Sequence, residues 1–296
     1  MLNSTADSFQ TVNNNMSGLA YVMDYYRYTI ETKGDPRTAN WLLMSSPAPL
    51  LTIIASYIYF CVSAGPRYMK DKKPYKLKEV LLIYNVIQVA MSVFLVYEGL
   101  VAGWWGEYNW KCQPVDYSMD PKPLRMAGGV WWYFFCKIIE LLDTVFFVLR
   151  KKMNQVSFLH LYHHSMMPVC GWIGVRFLAG GHGTLLGLIN SFIHIIMYSY
   201  YLVAGLGPQY QKYLWWKRYL TLMQMIQFCI IFVHTGQVLF RDCDYPKPIA
   251  ALLSTQALVF LYMFGSFYYH AYVKKSPSNS SKTSTAVNNN KTEKIQ

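Results

Sequence analysis

The chain has 296 residues, of which 27 are Lys or Arg and 15 are Asp or Glu, giving a formal net charge of +12. Hydrophobic residues make up 53%, aromatic residues 17% and charged residues only 14%, against about 25% charged in an ordinary soluble domain. This balance excludes a disordered chain, a fibrous repeat and a disulfide-stapled mini-protein, and it leaves too little charge to clothe a soluble protein of this length.

A bilayer core about 30 Å thick is crossed by about 20 mostly apolar residues. Residues 1–45 hold no compact apolar run. The expectation there is an amino-terminal arm without a cleavable signal peptide, with an amphipathic stretch near Leu19–Ile30 ahead of Pro36. Seven apolar segments follow, at about 47–65, 80–103, 128–149, 156–178, 184–206, 217–239 and 249–272. The first two and the last are plainly apolar, and the middle four carry polar residues. Residues 276–296 are Ser, Asn, Thr and Lys almost throughout, a composition that cannot bury apolar surface and predicts a disordered tail. The expected class is an all-α multi-pass membrane protein with seven transmembrane helices. Its parts are an arm over 1–45, a membrane domain over 46–275 and a tail over 276–296.

Basic residues concentrate on the cytosolic side of membrane proteins. With the amino end lumenal, the cytosolic segments hold 17 of the 27 basic residues and the lumenal segments 9, with Lys137 left inside a span. The carboxyl end is then cytosolic. Asn3-Ser4-Thr5 and Asn15-Met16-Ser17 are glycosylation sequons on the lumenal arm, although Asn279 and Asn290 also start sequons in the tail. The last residues, Lys294-Ile295-Gln296, do not form a dilysine retrieval signal. Of the six cysteines, Cys61, Cys136, Cys170 and Cys229 fall within spans and read as small buried hydrophobes. Cys112 and Cys243 fall in lumenal loops, where oxidation is permitted, so a Cys112–Cys243 disulfide is expected.

The residues that do not belong in lipid are the informative ones, because ionisable groups at membrane depth are costly and mark sites or pairs. Span three carries Lys137, Glu140, Asp143 and Thr144 on one helix face. A structural ion network explains part of that stripe. Span four opens with His160, His163 and His164, too dense a cluster for helix packing alone. Span five carries Asn190, His194, Tyr198 and Tyr201, with Met197 and Tyr200 beside them, and span six carries Thr221, Gln224 and Gln227. Four polar stripes on successive spans converge only on a shared interior, a chamber that is polar near the cytosolic mouth and apolar deeper down. Such a chamber suits an amphipathic guest with a long hydrocarbon tail. Arg150, Lys151, Lys152, Lys212, Lys217 and Arg218 ring the mouth, either as positive-inside anchors or as partners for a phosphate.

A histidine cluster binds metal or moves protons and acyl groups. Only four of the seven histidines converge, His160, His163, His164 and His194, too few for a di-iron oxidase. A single zinc fits the count, but the adjacent His163 and His164 diverge by about 100° on a helix. The metal-free alternative uses imidazole as nucleophile or base, with Asn or Gln stabilising a developing oxyanion. A seven-helix receptor or transporter needs no buried triple histidine and is disfavoured by polar stripes at the cytosolic end.

Lys137-x-x-Glu140-x-x-Asp143-Thr144, His160-x-x-His163-His164, Asn190-xxx-His194-xx-Met197-Tyr198-x-Tyr200-Tyr201 and Thr221-xx-Gln224-xx-Gln227 occur in that order. Together they resemble the very-long-chain fatty acid elongase (ELO) family over about residues 40–275. The resemblance implies a condensing enzyme of the endoplasmic reticulum, a 3-ketoacyl-CoA synthase joining a long-chain acyl-CoA to malonyl-CoA with loss of CO2 and CoA. It implies a seven-helix fold whose spans two to seven form a six-helix barrel around a closed acyl tunnel. By the same resemblance His163 accepts the acyl group, His194 assists as second nucleophile or base, and His160 and His164 position the thioester and malonyl carboxylate. Lys137, Arg150, Lys152, Lys217 and Thr221 hold CoA or malonyl groups, Gln155, Tyr200 and Gln224 contact the pantetheine arm, and Asn190 polarises a carbonyl. Glu140, Asp143, Thr144, Tyr198 and Gln227 form a structural polar network. No cofactor or metal is expected beyond the acyl-CoA and malonyl-CoA substrates. The implied partners are membrane lipid, a second copy in a homodimer and the later ketoreductase, dehydratase and enoyl reductase, with no nucleic acid. The order of steps, through an acyl-histidine or by direct condensation, stays open.

Overall fold

In a computed structural model the described residues are 18–274, and every regular element among them is helical. Helix α1 spans Gly18–Lys33. Helix α2 spans Ala48–Met69 and α3 Lys78–Trp104, each with a wider, π-type turn, at Phe60–Ala64 and Leu100–Trp104. Helices α4 (Pro121–Ile139) and α5 (Leu141–Leu149) meet at Glu140. Then come α6 (Phe158–Phe177), α7 (Thr184–Leu206), α8 (Lys217–Gly236) and α9 (Lys247–Tyr268). All four sequons and the whole 276–296 tail lie outside the described residues.

Local sequence sets several boundaries. Proline stands in the first turn of α2, α4 and α9, where its missing N–H has no helical partner to lose. The Ser157 hydroxyl caps α6 by accepting from the His160 amide at 3.2 Å. After α6 the chain reverses through Gly181, at φ +70°, where a Cβ would sit 3.0 Å from the backbone of Gln113 and Pro114. Only glycine fits that close crossing.

Among the described residues five helices are long and apolar enough to cross a membrane: Ala48–Met69, Lys78–Trp104, Thr184–Leu206, Lys217–Phe240 and Lys247–Val273. The segments read as spans three and four are helical too, but they fall short on apolarity. Helix α4 carries Lys122, Arg125 and Lys137 and ends at Glu140, α5 has only nine residues, and α6 carries three histidines with Arg176. The third segment also starts at Pro121, seven residues before the apolar run suggests.

Neighbours pack in pairs. Helix α3 lies along α7, α4 along α6 and α8 along α9, while α3 touches α4, α7 touches α8 and α6 touches α9. Helix α2 packs against α5 and α6. Clusters such as Met44, Leu50, Ile54, Phe134, Trp172 and Val175 fill the seams between α2, α4 and α6. Of the cysteines in the helices, Cys61 and Cys136 are buried and Cys170 is half-buried, but Cys229 is exposed on the outside of α8. In an almost uniformly apolar helix, sequence does not separate the inner face from the lipid-facing one.

One end of the bundle is sealed by loops. The segment after α1, read from sequence as part of the arm, is built into the body. Asp35 and Arg37 form an ion pair at 2.6 Å with both side chains fully buried. Arg37 also donates to the carbonyls of Asp116 and Ala179, at 2.6 and 3.2 Å. Arg176 donates to the carbonyls of Ile30 and Asp35, and the Trp172 indole to that of Leu43. A Cys112–Cys243 disulfide with a Cα–Cα distance of 5.7 Å ties the α3–α4 loop to the α8–α9 loop. Removing Asp35 leaves Arg37 buried and uncompensated. Asp35→Ala is expected to cost about 3–5 kcal/mol, read as a lower Tm of the detergent-solubilised protein. An unchanged Tm would show that the pair does not hold this end.

Candidate functional site

The site begins at the junction of α4 and α5. Lys137, Glu140 and His194 are each at most 6% exposed. The Lys137 Nζ donates to Glu140 Oε1 at 2.8 Å and Oε2 at 3.0 Å, and His194 Nδ1 lies 3.2 Å from Glu140 Oε1 and 3.4 Å from Lys137 Nζ. Two opposite charges three residues apart share one helix face, and the third member comes from α7. Glu140 therefore works as a two-sided clamp. The same ammonium sits 4.8 Å from the centre of the Tyr133 ring, and the Tyr133 hydroxyl donates to Asn190 Oδ1 at 3.0 Å. One turn further on, the Tyr198 hydroxyl donates to Asp143 Oδ2 at 2.9 Å.

The histidines of α6 stand next to this network. The rings of His160 and His164 are 4.1 Å apart, and those of His163 and His164 5.3 Å apart. His160 Nε2 lies 2.8 Å from Thr144 Oγ1, which lies 2.7 Å from the Tyr57 hydroxyl on α2. His163 turns the other way and meets the edge of Phe260 on α9 at 5.1 Å. Among the described residues, no group of three or more His, Cys, Asp or Glu side chains is arranged to hold a metal ion.

His163 also lines a cavity of about 140 Å³ to which α3, α4, α6, α7, α8 and α9 all contribute. Its wall is mostly apolar, with Leu95, Met126, Met167, Leu186, Phe228, Ile231 and Phe260 among it. The polar exceptions include His163, Asn190, Ser191, Gln227 and Gln256. Gln227 Oε1 is buried and has no hydrogen-bond partner among the described residues, so the wall offers a free acceptor. At the sealed end the cavity reaches Leu178, Gly183 and Tyr245, two residues beyond Cys243. A Cβ on Gly183 would lie 2.5 Å from the Tyr245 hydroxyl, so that closure leaves no spare room.

The sequence-derived residues divide into four sets. Lys137, Glu140, Asp143, Thr144, His160, His163, His164, Asn190, His194 and Tyr198 come together as described. Gln224 donates weakly to Met197 Sδ at 3.8 Å, Thr221 is buried nearby on the same helix, and Tyr200 packs edge-on against Trp216. Arg150, Lys152, Gln155 and Lys217 stand at the open end, half-buried in the first case and exposed in the rest, and none of the four lines the cavity. Tyr201 keeps contact with the stripe, its ring edge-on to Tyr198, but is 42% exposed.

Several buried polar groups escape the sequence reading. Tyr57 and Tyr133 are not singled out by the sequence, yet their hydroxyls join the network. Tyr162 donates to Gln256 Oε1 at 3.0 Å across α6 and α9. Tyr84, Asn85, Gln88 and Ser92 on α3 are all buried. Their spacing was a usable signal, since polar residues at i, i+1, i+4 and i+8 in an apolar run mark an inward face.

If the clamp holds α4 to α7, then Lys137→Met strands a buried carboxylate and should cost about 3–5 kcal/mol. Lys137→Met combined with Glu140→Leu should recover most of that loss, read as Tm in detergent. A double variant no better than the single one would place the stabilisation elsewhere.

A family model described as ELO, the GNS1/SUR4 family, matches residues 42–280. The chain is 50% identical over 255 residues to a very long chain fatty acid elongase of Aedes aegypti, covering 86% of this chain and 71% of that protein. It is 48% identical over 261 residues to very long chain fatty acid elongase 7 of Drosophila melanogaster, with 88% and 79% covered. It is 45% identical over 266 residues to very long chain fatty acid elongase 4 of Homo sapiens, with 90% and 83% covered.

Proposed function

The chain belongs to the ELO: GNS1/SUR4 family, and from that premise we propose that it is the condensing enzyme of fatty acid elongation. It joins a long-chain or very-long-chain acyl-CoA to malonyl-CoA, giving a 3-oxoacyl-CoA two carbons longer, CO2 and free CoA. The observation that carries this reading is the position of His163, on the wall of an otherwise largely apolar cavity enclosed by six helices. A hydrocarbon chain gains by burial in such a cavity, and its thioester carbon then has imidazole beside it.

The steps follow from that placement. A His163 ring nitrogen attacks the thioester carbon, the C–N bond forms, the C–S bond breaks, and the ring proton leaves with the CoA thiolate. Malonyl-CoA then loses CO2, and its enolate carbon attacks the acyl-imidazole. The new C–C bond displaces the ring, which takes up one proton from solution. No electrons are transferred, so no redox cofactor is needed. Asn190, whose Oδ1 accepts from Tyr133, has its amide hydrogens free for the developing oxyanion. Glu140 and Lys137 fix the orientation of His194, which serves as second nucleophile or base, while His160 and His164 position the thioester and the malonyl carboxylate. Arg150, Lys152 and Lys217 at the open end take the CoA phosphates, with Gln155, Tyr200, Thr221 and Gln224 along the pantetheine arm.

The membrane arrangement belongs to the same proposal. Seven spans place the amino end in the lumen of the endoplasmic reticulum and the carboxyl end in the cytosol, with α4–α5 and α6 as the polar third and fourth spans. The neighbour order α3, α4, α6, α9, α8, α7 supports a six-helix barrel, with α2 outside it. Ketoreduction, dehydration and enoyl reduction fall to separate enzymes.

Purified protein given malonyl-CoA and long-chain acyl-CoAs, without reduced nicotinamide, should release a 3-oxoacyl-CoA two carbons longer, detected by mass spectrometry. His163→Ala should lower this rate by about 10³-fold or more, with the elution profile and Tm of the wild type. Wild-type turnover in His163→Ala would remove the imidazole from the chemistry.

A further inference from the structure

Helix α2 lies outside the ring of helices that encloses the cavity, yet one of its side chains reaches the histidine cluster. The Tyr57 ring is 6% exposed and its hydroxyl lies 2.7 Å from Thr144 Oγ1. Thr144 is fully buried and its Oγ1 lies 2.8 Å from His160 Nε2. Among the described residues, the Tyr57 hydroxyl has no other partner, and Thr144 Oγ1 has only these two.

Counting hydrogens fixes the direction of this chain. Tyrosine and threonine hydroxyls each carry one hydrogen, and a neutral imidazole nitrogen either donates or accepts. If His160 Nε2 carried the proton and donated to Thr144, then either the Thr144 hydroxyl would donate to Tyr57 or Thr144 would accept from both neighbours. In each case one hydroxyl hydrogen would be left without an acceptor in a buried site, which native structures avoid. In the opposite sense both hydroxyl hydrogens are used: the Tyr57 O–H donates to Thr144 Oγ1, and the Thr144 O–H donates to His160 Nε2. Nε2 is then the acceptor, and the ring proton sits on Nδ1. Among the described residues no protein group pairs with Nδ1, but His160 is only half-buried and Nδ1 is not one of the fully enclosed unpaired atoms, so the Nδ1–H is free to donate to a ligand. Holding an imidazole in one tautomer through a hydrogen bond to its far nitrogen is a known way to aim a histidine.

We propose that Tyr57 is a positioning residue that, through Thr144, holds His160 in the Nδ1–H tautomer, so that this donor faces the substrate carbonyl or carboxylate. The inference rests on the condensation reading, but its first readout does not depend on activity.

The test uses full-length protein labelled with 15N-histidine in detergent, with the His160 ring signals assigned by their loss in His160→Gln. In the wild type, Nε2 should resonate as a bare acceptor and Nδ1 as the protonated nitrogen. A protonated Nε2 in the wild type overturns the proposal outright. In Tyr57→Phe, Thr144 loses the incoming bond that polarises its own O–H towards Nε2, so a population protonated at Nε2 should appear, and kcat should fall by about tenfold or more with KM within about twofold. Thr144→Val should shift the tautomer and lower kcat in the same way, Thr144→Ser should restore both, and the two lesions together should cost little more than either alone. If Tyr57→Phe fails to fold, the Thr144→Val and Thr144→Ser pair decides. A loss of kcat with the tautomer unchanged assigns Tyr57 a packing role and refutes the proposal. A wild type with the expected spectrum but no condensation activity would instead refute the function proposed above.

Discussion

A full ion pair in a dry, low-dielectric interior is stable only when each charge is matched and hydrogen-bonded. Lys137, Glu140 and His194 meet that condition together, and the rest of the site hangs on them. The clamp joins α4 to α7 at the point where α4 gives way to α5. It orients His194, places Tyr133 against Asn190 and leaves Asp143 to Tyr198 one turn later. Burying these groups is costly, which is why they carry information: chain stability alone would be better served by apolar residues at the same positions. Their presence is explained by what they hold in place.

Around that centre the bundle separates two environments. Towards the open end lie the basic residues and the ends of α5 and α8. Towards the sealed end lie an apolar cavity and a plug of loops in which Asp35, Arg37, Arg176 and the Cys112–Cys243 disulfide cross-link four segments distant in sequence. His163 belongs to both, since it shares a ring contact with His164 and also lines the cavity. An amphipathic thioester threaded through such a space has its reactive carbon at the boundary. Helix α2, which lines no part of the cavity, still contributes through Tyr57.

Much of this was legible in the sequence because charge and imidazole in an apolar run stand out. Lys137, the histidines, Asn190 and His194 could be read in that way, and so could the pairing of Cys112 with Cys243, since both fall on loops of one side. Other parts were hidden for physical reasons. Tyr57 and Tyr133 look like packing residues until their hydroxyls find partners. The polar set on α3 is diluted by the apolarity of its helix. The burial of Asp35 and Arg37 depends on carbonyls some eighty and more than a hundred and forty residues away, and no local periodicity announces it. Tyr201 keeps its helical register with His194 and Tyr198 and touches the Tyr198 ring, yet much of its surface stays exposed.

The central claim is that one imidazole at the head of the cavity receives the acyl chain. The most direct measurement is intact-protein mass spectrometry after exposure to a long-chain acyl-CoA without malonyl-CoA, followed by peptide mapping. The account predicts a mass gain of one acyl group, located on His163, released when malonyl-CoA is added and absent in His163→Ala. Protein that condenses the two substrates but never carries an acyl group on His163 would contradict it.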